Sequence, residues 1–225
     1  MINSSSAVQM FLNNGDNKER LFEVIVEVWT ENNHLLGNRV IFFARKDKCT
    51  QIDGKGSTAI EELSSDHEEA DTKVVYLLKH AIEKEEDLDT AVFVVRSSSG
   101  DVDIPVILLA NDLQTNATII LDNGRDKFRK VVHLSNCRFS DSQKKALLGF
   151  HAFTGCDQIS SFLRKGKISC WKVLKNNPCL FKGFIQLGSE KDINDDLVAI
   201  LEDFVCKLYG EKNVHDVDQA RRNIF

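Results

Sequence analysis

The stretch TAVFVVRSSSGDVDIPVILLANDLQTNATIILDNG, residues 90 to 124, decides the fold. It begins with a β-branched and aromatic run, TAVFVVRSS (90–98), which reads as a strand. DVDIPVILLANDL (101–113) predicts a helix, with Pro105 tolerated in its first turn. NATIILDNG (116–124) predicts a second strand. Strand, helix, strand at this spacing is a βαβ unit, and such units build parallel sheets.

The alternation extends both ways. Upstream, Val74, Val75, Leu77, Leu78, Ala81 and Ile82 give an amphipathic helix over about 67–85. NRVIFFAR (38–45) and KCTQID (48–53) read as short strands, with GKGS (54–57) as a turn. NKERLFEVIVEVWTENN (17–33) places Leu21, Phe22, Ile25, Val28 and Trp29 at helical spacing. Downstream, KFRKVVHLSN (127–136) is a further strand, and from about residue 140 the chain reads as helical. The expectation is an α/β fold: a parallel sheet covered by helices on both faces in residues 1–139, then a helical region in 140–225.

Hydrophobic residues make up 42% of the 225 and charged residues 28%, an ordinary globular balance. No apolar run approaches the roughly 18–20 residues of a membrane helix. The start, MINSSSAVQMFLNN, has neither the basic opening nor the apolar stretch of a signal peptide. An intracellular, nuclear protein without a membrane segment is expected. The six cysteines, Cys49, Cys137, Cys156, Cys170, Cys179 and Cys206, are scattered and form no CxxC pair, so they read as reduced thiols rather than zinc ligands. A net charge of −5 argues against coating nucleic acid through bulk charge, but allows a local basic face beside an acidic metal site. There is no GxGxxG, and DGKGST (53–58) lacks the spacing of a phosphate-binding loop.

In open α/β sheets, sites form beyond the C-terminal ends of strands. Three acidic features fall at such points: HEEAD (67–71), SSSGDVD (97–103) and TGCD (154–157). Each has a plain structural reading. Asp66 pairs with Glu69 as a capping box, Asp101 or Asp103 caps the helix after the strand, and Asp157 caps the helix after it. Together they have a chemical reading. Carboxylates about 4 Å apart repel by about 4 kcal/mol at an effective dielectric near 20. A sheet edge that gathers them suits Mg2+ or Mn2+, hard ions that prefer oxygen ligands. His151, in an apolar stretch, reads as a packed, hydrogen-bonded residue.

Glu69-Ala70-Asp71, then Ser99, Asp101 and Asp103, then Gly155-Cys156-Asp157 with Ser160 resemble, in order and spacing, the second half of the flap-endonuclease-type PIN-fold nucleases. HAFTGCD (151–157) is closest to a transposon-associated animal group of that class. The resemblance spans roughly residues 38–175. It implies a PIN-like, Rossmann-like sheet and two divalent ions, Mg2+ or Mn2+, held by Glu69, Asp71, Asp101, Asp103 and Asp157 as the catalytic set. It also implies a helix–two-turn–helix from Asp157 onward, in which Arg164, Lys165, Gly166 and Lys167 hold DNA phosphates. Lys73 or Arg96 would help to neutralise phosphate. The implied activity is hydrolysis of DNA at branched or single-stranded structures. The family's first strand, which ends on an essential Asp, has no counterpart here, since RVIFFAR carries none at its end. The alternative expectation is therefore a truncated, inactive remnant that binds nucleic acid or a protein partner.

Overall fold

Connection length sets the strand directions in this chain. The computed structural model describes residues 8, 10–45, 47–64, 70–111, 113–156, 159–189, 192–211 and 213–224. It divides into two units, Met1–Tyr76 and Leu77–Phe225.

In the first unit a helix, α1 (Gly15–Glu31), is followed by β1 (Ile41–Arg45), β2 (Lys48–Asp53) and β3 (Gly56–Ala59). Arg45 faces Lys48 across the first turn and Asp53 faces Gly56 across the second. Two-residue turns permit only antiparallel pairing, so these strands form a small meander, not part of a parallel sheet. Asp53 Oδ1 accepts the Lys55 N–H at 2.8 Å and closes the second turn. Ile52 is fully buried and Cys49 nearly so. The predicted stripe of α1 is mostly outward: Leu21, Ile25, Val28 and Trp29 are exposed, while Phe22 meets Phe43 edge to face at 5.8 Å. The helix α2 (Ala70–Lys84) contains the division between the units.

The second unit holds the predicted βαβ. β4 (Val92–Ser97) and β5 (Thr118–Asn123) pair in parallel through α3 (Asp103–Ala110), with Val94 beside Ile120 and Arg96 beside Asp122. The short connection after β5 returns the chain as β6 (Lys130–His133), which is antiparallel. The expected parallel sheet is thus one parallel pair with an antiparallel neighbour. Within this sheet, only the α3 connection is long enough to cross over.

One face of this sheet is packed, with Val95, Ile119 and Leu121 buried. On the other, Val92, Val94 and Val131 are more than half exposed. The expectation of cover on both faces is therefore met on one face only. The apolar alternation of a half-buried strand and the continuous run of a fully buried one are hard to separate in segments of six residues.

Four helices complete the packing of this unit: α4 (Asp141–Phe153), α5 (Lys167–Asn176), α6 (Phe181–Ser189) and α7 (Asp195–Tyr209); α8 (Val217–Ile224) follows. Ser140 and Gln143 form a reciprocal capping box that starts α4. The core gathers Ala146, Phe150, Cys170, Leu174, Phe184 and Phe204. Phe184 and Phe204, both fully buried, meet edge to face at 5.0 Å. Burial of each such ring contributes on the order of 1.5–3 kcal/mol. α4 and α6 approach until backbones touch: a Cβ on Gly149 would lie 2.2 Å from the Phe184 carbonyl oxygen. α3 packs on α4, so the expected boundary at 139/140 falls inside a single unit.

Candidate acidic site at the end of the parallel pair

β4 ends at Ser97, and four residues later the chain reaches Asp101. Asp101 Oδ1 accepts the Val102 N–H at 2.6 Å and, more weakly, the Asp103 N–H at 3.4 Å. The N-cap position itself is Val102, without a side-chain cap, so the capping role expected of Asp101 or Asp103 is not formed as such. The two bonds tie one oxygen of Asp101 to the start of α3, where the helix dipole favours negative charge. Asp103 is the first residue of α3 and is half-buried. The two carboxylates follow the C-terminal end of a parallel strand, where α/β sheets build their sites.

Two further side chains touch these residues. Asn123, the last residue of β5, donates its amide to the Asp101 carbonyl at 2.6 Å. His151, on α4, brings Nε2 to 2.7 Å from Asp103 Oδ1, with its side chain 13% exposed. That approach is short but off the line of a ring N–H, so neither His151 nitrogen has an aligned hydrogen-bond partner. Asn123 Oδ1 is likewise buried without one. Among the described residues, the buried side-chain atoms lacking a partner are these three, and both residues touch Asp101 or Asp103. Buried polar atoms are almost always paired in folded proteins. Such exceptions beside a strand-end carboxylate mark a candidate site.

Lys167 borders the same site from the start of α5. Its ammonium donates to the His151 carbonyl at 2.9 Å and to the Gly155 carbonyl, and reaches Thr154 Oγ1 at 3.5 Å. Burial pushes its pKa down, while the charges of Asp103 and Asp101 oppose that. Thr154 is buried and donates its hydroxyl back to the Phe150 carbonyl at 2.7 Å. The corner between α4 and α5 is thus held by a lysine that faces inward.

Of the five expected carboxylates, Asp101 and Asp103 adjoin each other here. Asp71 lies half-buried in the first turn of α2. Glu69 and Asp157 lie outside the described residues. Among the described residues, no three His, Cys, Asp or Glu side chains converge as a metal group.

The expected phosphate-holding turn is divided. Arg164 is exposed, in a left-handed conformation with φ 57°. Lys165 is half-buried, 5.4 Å above the Tyr209 ring. Gly166 is exposed and precedes α5, and Lys167 is engaged as described. Lys73 is buried. Arg96 is bound to Asp122 at 3.0 Å and to the Gly124 carbonyl at 2.8 Å.

His151 is the site residue that sequence reasoning missed. A signal was present, since it lies four residues after buried Leu147 on the same helix face. Its carboxylate partner is 48 positions away along the sequence (151 minus 103), beyond any local pattern.

A cleft of about 520 Å³ lies elsewhere, lined by Leu108, Ala117, Ile119, Leu134 and Cys137. It sits at the N-terminal end of β5, opposite the end where the carboxylates gather. Strand-end chemistry, rather than cleft size, identifies the site.

All six cysteines are free thiols. Burial raises the pKa of Cys49, Cys170 and Cys206, which keeps them protonated and inert. Among the described residues, no helix is long and apolar enough to cross a membrane. No family model matches the chain, and neither a curated protein nor a solved structure matches it.

Proposed function

We propose that the chain is a divalent-metal-dependent nuclease domain of the flap-endonuclease-like PIN class, acting on DNA at branched or single-stranded structures. The observation that carries this reading is the placing of Asp101 and Asp103 just beyond the end of a parallel strand, with His151 Nε2 2.7 Å from Asp103 Oδ1 and Asn123 holding the Asp101 main chain. Hard oxygen donors of this kind suit Mg2+ or Mn2+. The second oxygens of Asp101 and Asp103 would be the donors on this strand end. Bound ions of this kind supply a hydroxide at neutral pH and stabilise the leaving oxygen of a phosphodiester.

The chain's own side chains do the rest. Asp101 is fixed by the backbone of α3, so its position follows the strand end. His151 sets the rotamer of Asp103 and stands as its neighbour of outer-shell type. Lys167 holds the α4–α5 corner that leads into Asp157 and adds positive charge beside the carboxylates.

The test is cleavage of branched and single-stranded DNA in Mg2+ or Mn2+, beside an Asp101→Asn/Asp103→Asn double variant. Cleavage lost in the variant, with folding intact, supports the reading. Absence of cleavage by both proteins sinks it for this chain, and leaves the inactive nucleic-acid-binding form.

A further inference from the structure

We propose that the β5–β6 connection, Arg125 to Lys130, is a binding site for an unpaired nucleic-acid strand, with Phe128 as the platform for one base. As a substrate-binding feature this rests on the nuclease reading, but as a binding site it stands by itself. The chain as a whole carries a net charge of −5, yet these six residues hold four cations against one carboxylate; Arg129 is committed to Asp122, which leaves Arg125, Lys127 and Lys130 for phosphate. Phe128 is 72% exposed in their midst. An exposed aromatic ring among cations is the arrangement that grips single strands. The cations track phosphates, and every base has a flat face to stack.

The loop is built, not slack. Asp126–Phe128 makes one tight helical turn, closed by Phe128 N–H on the Arg125 carbonyl at 2.9 Å. Gly124, at φ 87°, lies so near that a Cβ there would come 2.7 Å from the Phe128 carbonyl oxygen. Arg129 is anchored on Asp122 through Nε at 2.7 Å and Nη2 at 2.9 Å. Arg125 Nε donates to the Ser98 carbonyl at 3.0 Å. Lys127 Nζ sits 5.1 Å from the Phe128 centroid, and the ring remains largely open to a flat ligand. A ring presented by a fixed loop loses little entropy on stacking.

Position links the loop to the acidic site. The Gly124 N–H bonds the Ser97 carbonyl at 2.9 Å, and Asn123 bonds the Asp101 carbonyl at 2.6 Å. The platform therefore adjoins the loop that bears Asp101.

The experiment is fluorescence anisotropy of a labelled oligothymidylate of about twelve nucleotides, with the full chain in EDTA so that nothing is hydrolysed. Phe128→Ala is expected to weaken binding roughly 5- to 150-fold, the worth of one stacked base. Phe128→Trp should restore it. Lys127→Ala/Lys130→Ala should lower the salt slope by about 1.4, or about 0.7 per phosphate contact. Unchanged affinity in Phe128→Ala, with melting unaltered, overturns the proposal. So does equal, Phe128-dependent binding of polyglutamate, which would make the patch a site for acidic proteins. Cleavage without Phe128-dependent binding sinks this site and spares the nuclease reading. Phe128-dependent binding without cleavage does the reverse.

Discussion

Asp122 and Asp103 stand at the two ends of the same question. Asp122, near the end of β5, receives a two-pronged guanidinium from Arg129 and a third contact from Arg96. The Arg129 hydrogen bonds, and the charges of Arg129 and Arg96, hold its carboxyl below the usual range against the opposing effect of burial. Asp103, just beyond the end of β4, has one imidazole at close range and poor alignment. A saturated carboxylate is part of the scaffold, and an unsaturated one is poised to bind something else.

That contrast can be broken by exchanging the phenotypes. Asp103→Asn is expected to abolish DNA cleavage while leaving the melting temperature close to that of wild type. Asp122→Asn should lower the melting temperature by several degrees while the folded fraction still cleaves. Equal loss of stability in both variants would erase the distinction between the two residues.

His151→Ala sharpens it at the next level. An outer-shell residue that orients a ligand typically costs 10–100-fold in metal affinity or activity when removed. We expect a rise of about that size in the Mn2+ concentration needed for half-maximal cleavage, with unchanged far-ultraviolet circular dichroism. Rescue by His151→Asn or His151→Gln would support a role in orientation, and no shift in the Mn2+ requirement of the alanine variant would refute it.

Gly149→Ala, two residues earlier on α4, is the control on the scaffold side. The added carbon meets backbone, which cannot turn aside, so overpacking should destabilise the unit by about 1–3 kcal/mol. Denaturant melts measure this, and a neutral result would mean that α4 and α6 can separate freely.

The smallest effect is in acid. Because the folded Asp122 carboxyl is held below its ordinary value, its stabilisation is fully present above about pH 4, the unfolded value. It is lost as pH falls through the lower folded value. Asp122→Asn should flatten the acid limb of a stability-versus-pH curve. An unchanged limb would mean that the arginines stabilise the sheet by packing alone.

Much of the second unit was legible in order. The strands at 90–98 and 116–124 and the helix between them fall within three residues of the observed bounds, because apolar runs flanked by Gly, Ser and Asp leave few alternatives. Strand direction in the first unit was not read, although the two-residue spacing between Arg45 and Lys48 encodes it. The acidic residues could be picked out, but their saturation could not. Nothing local in DNGRDKFRK says that Arg129 turns back onto Asp122, or that Phe128 is left outside. Lys167 shows the same limit. In RKGK its neighbours suggest a solvated basic turn, whereas the closing of α4 against α5 turns it inward.

The ion triad of Arg96, Asp122 and Arg129 has a consequence for solubility. Val92, Val94, Ile120 and Val131 share its sheet face, and three of them are well exposed. Charge set into the middle of such a face discourages a second sheet from stacking there, as gatekeeper residues do beside aggregation-prone strands. The triad keeps a bare β surface from becoming adhesive, the task a covering helix performs elsewhere.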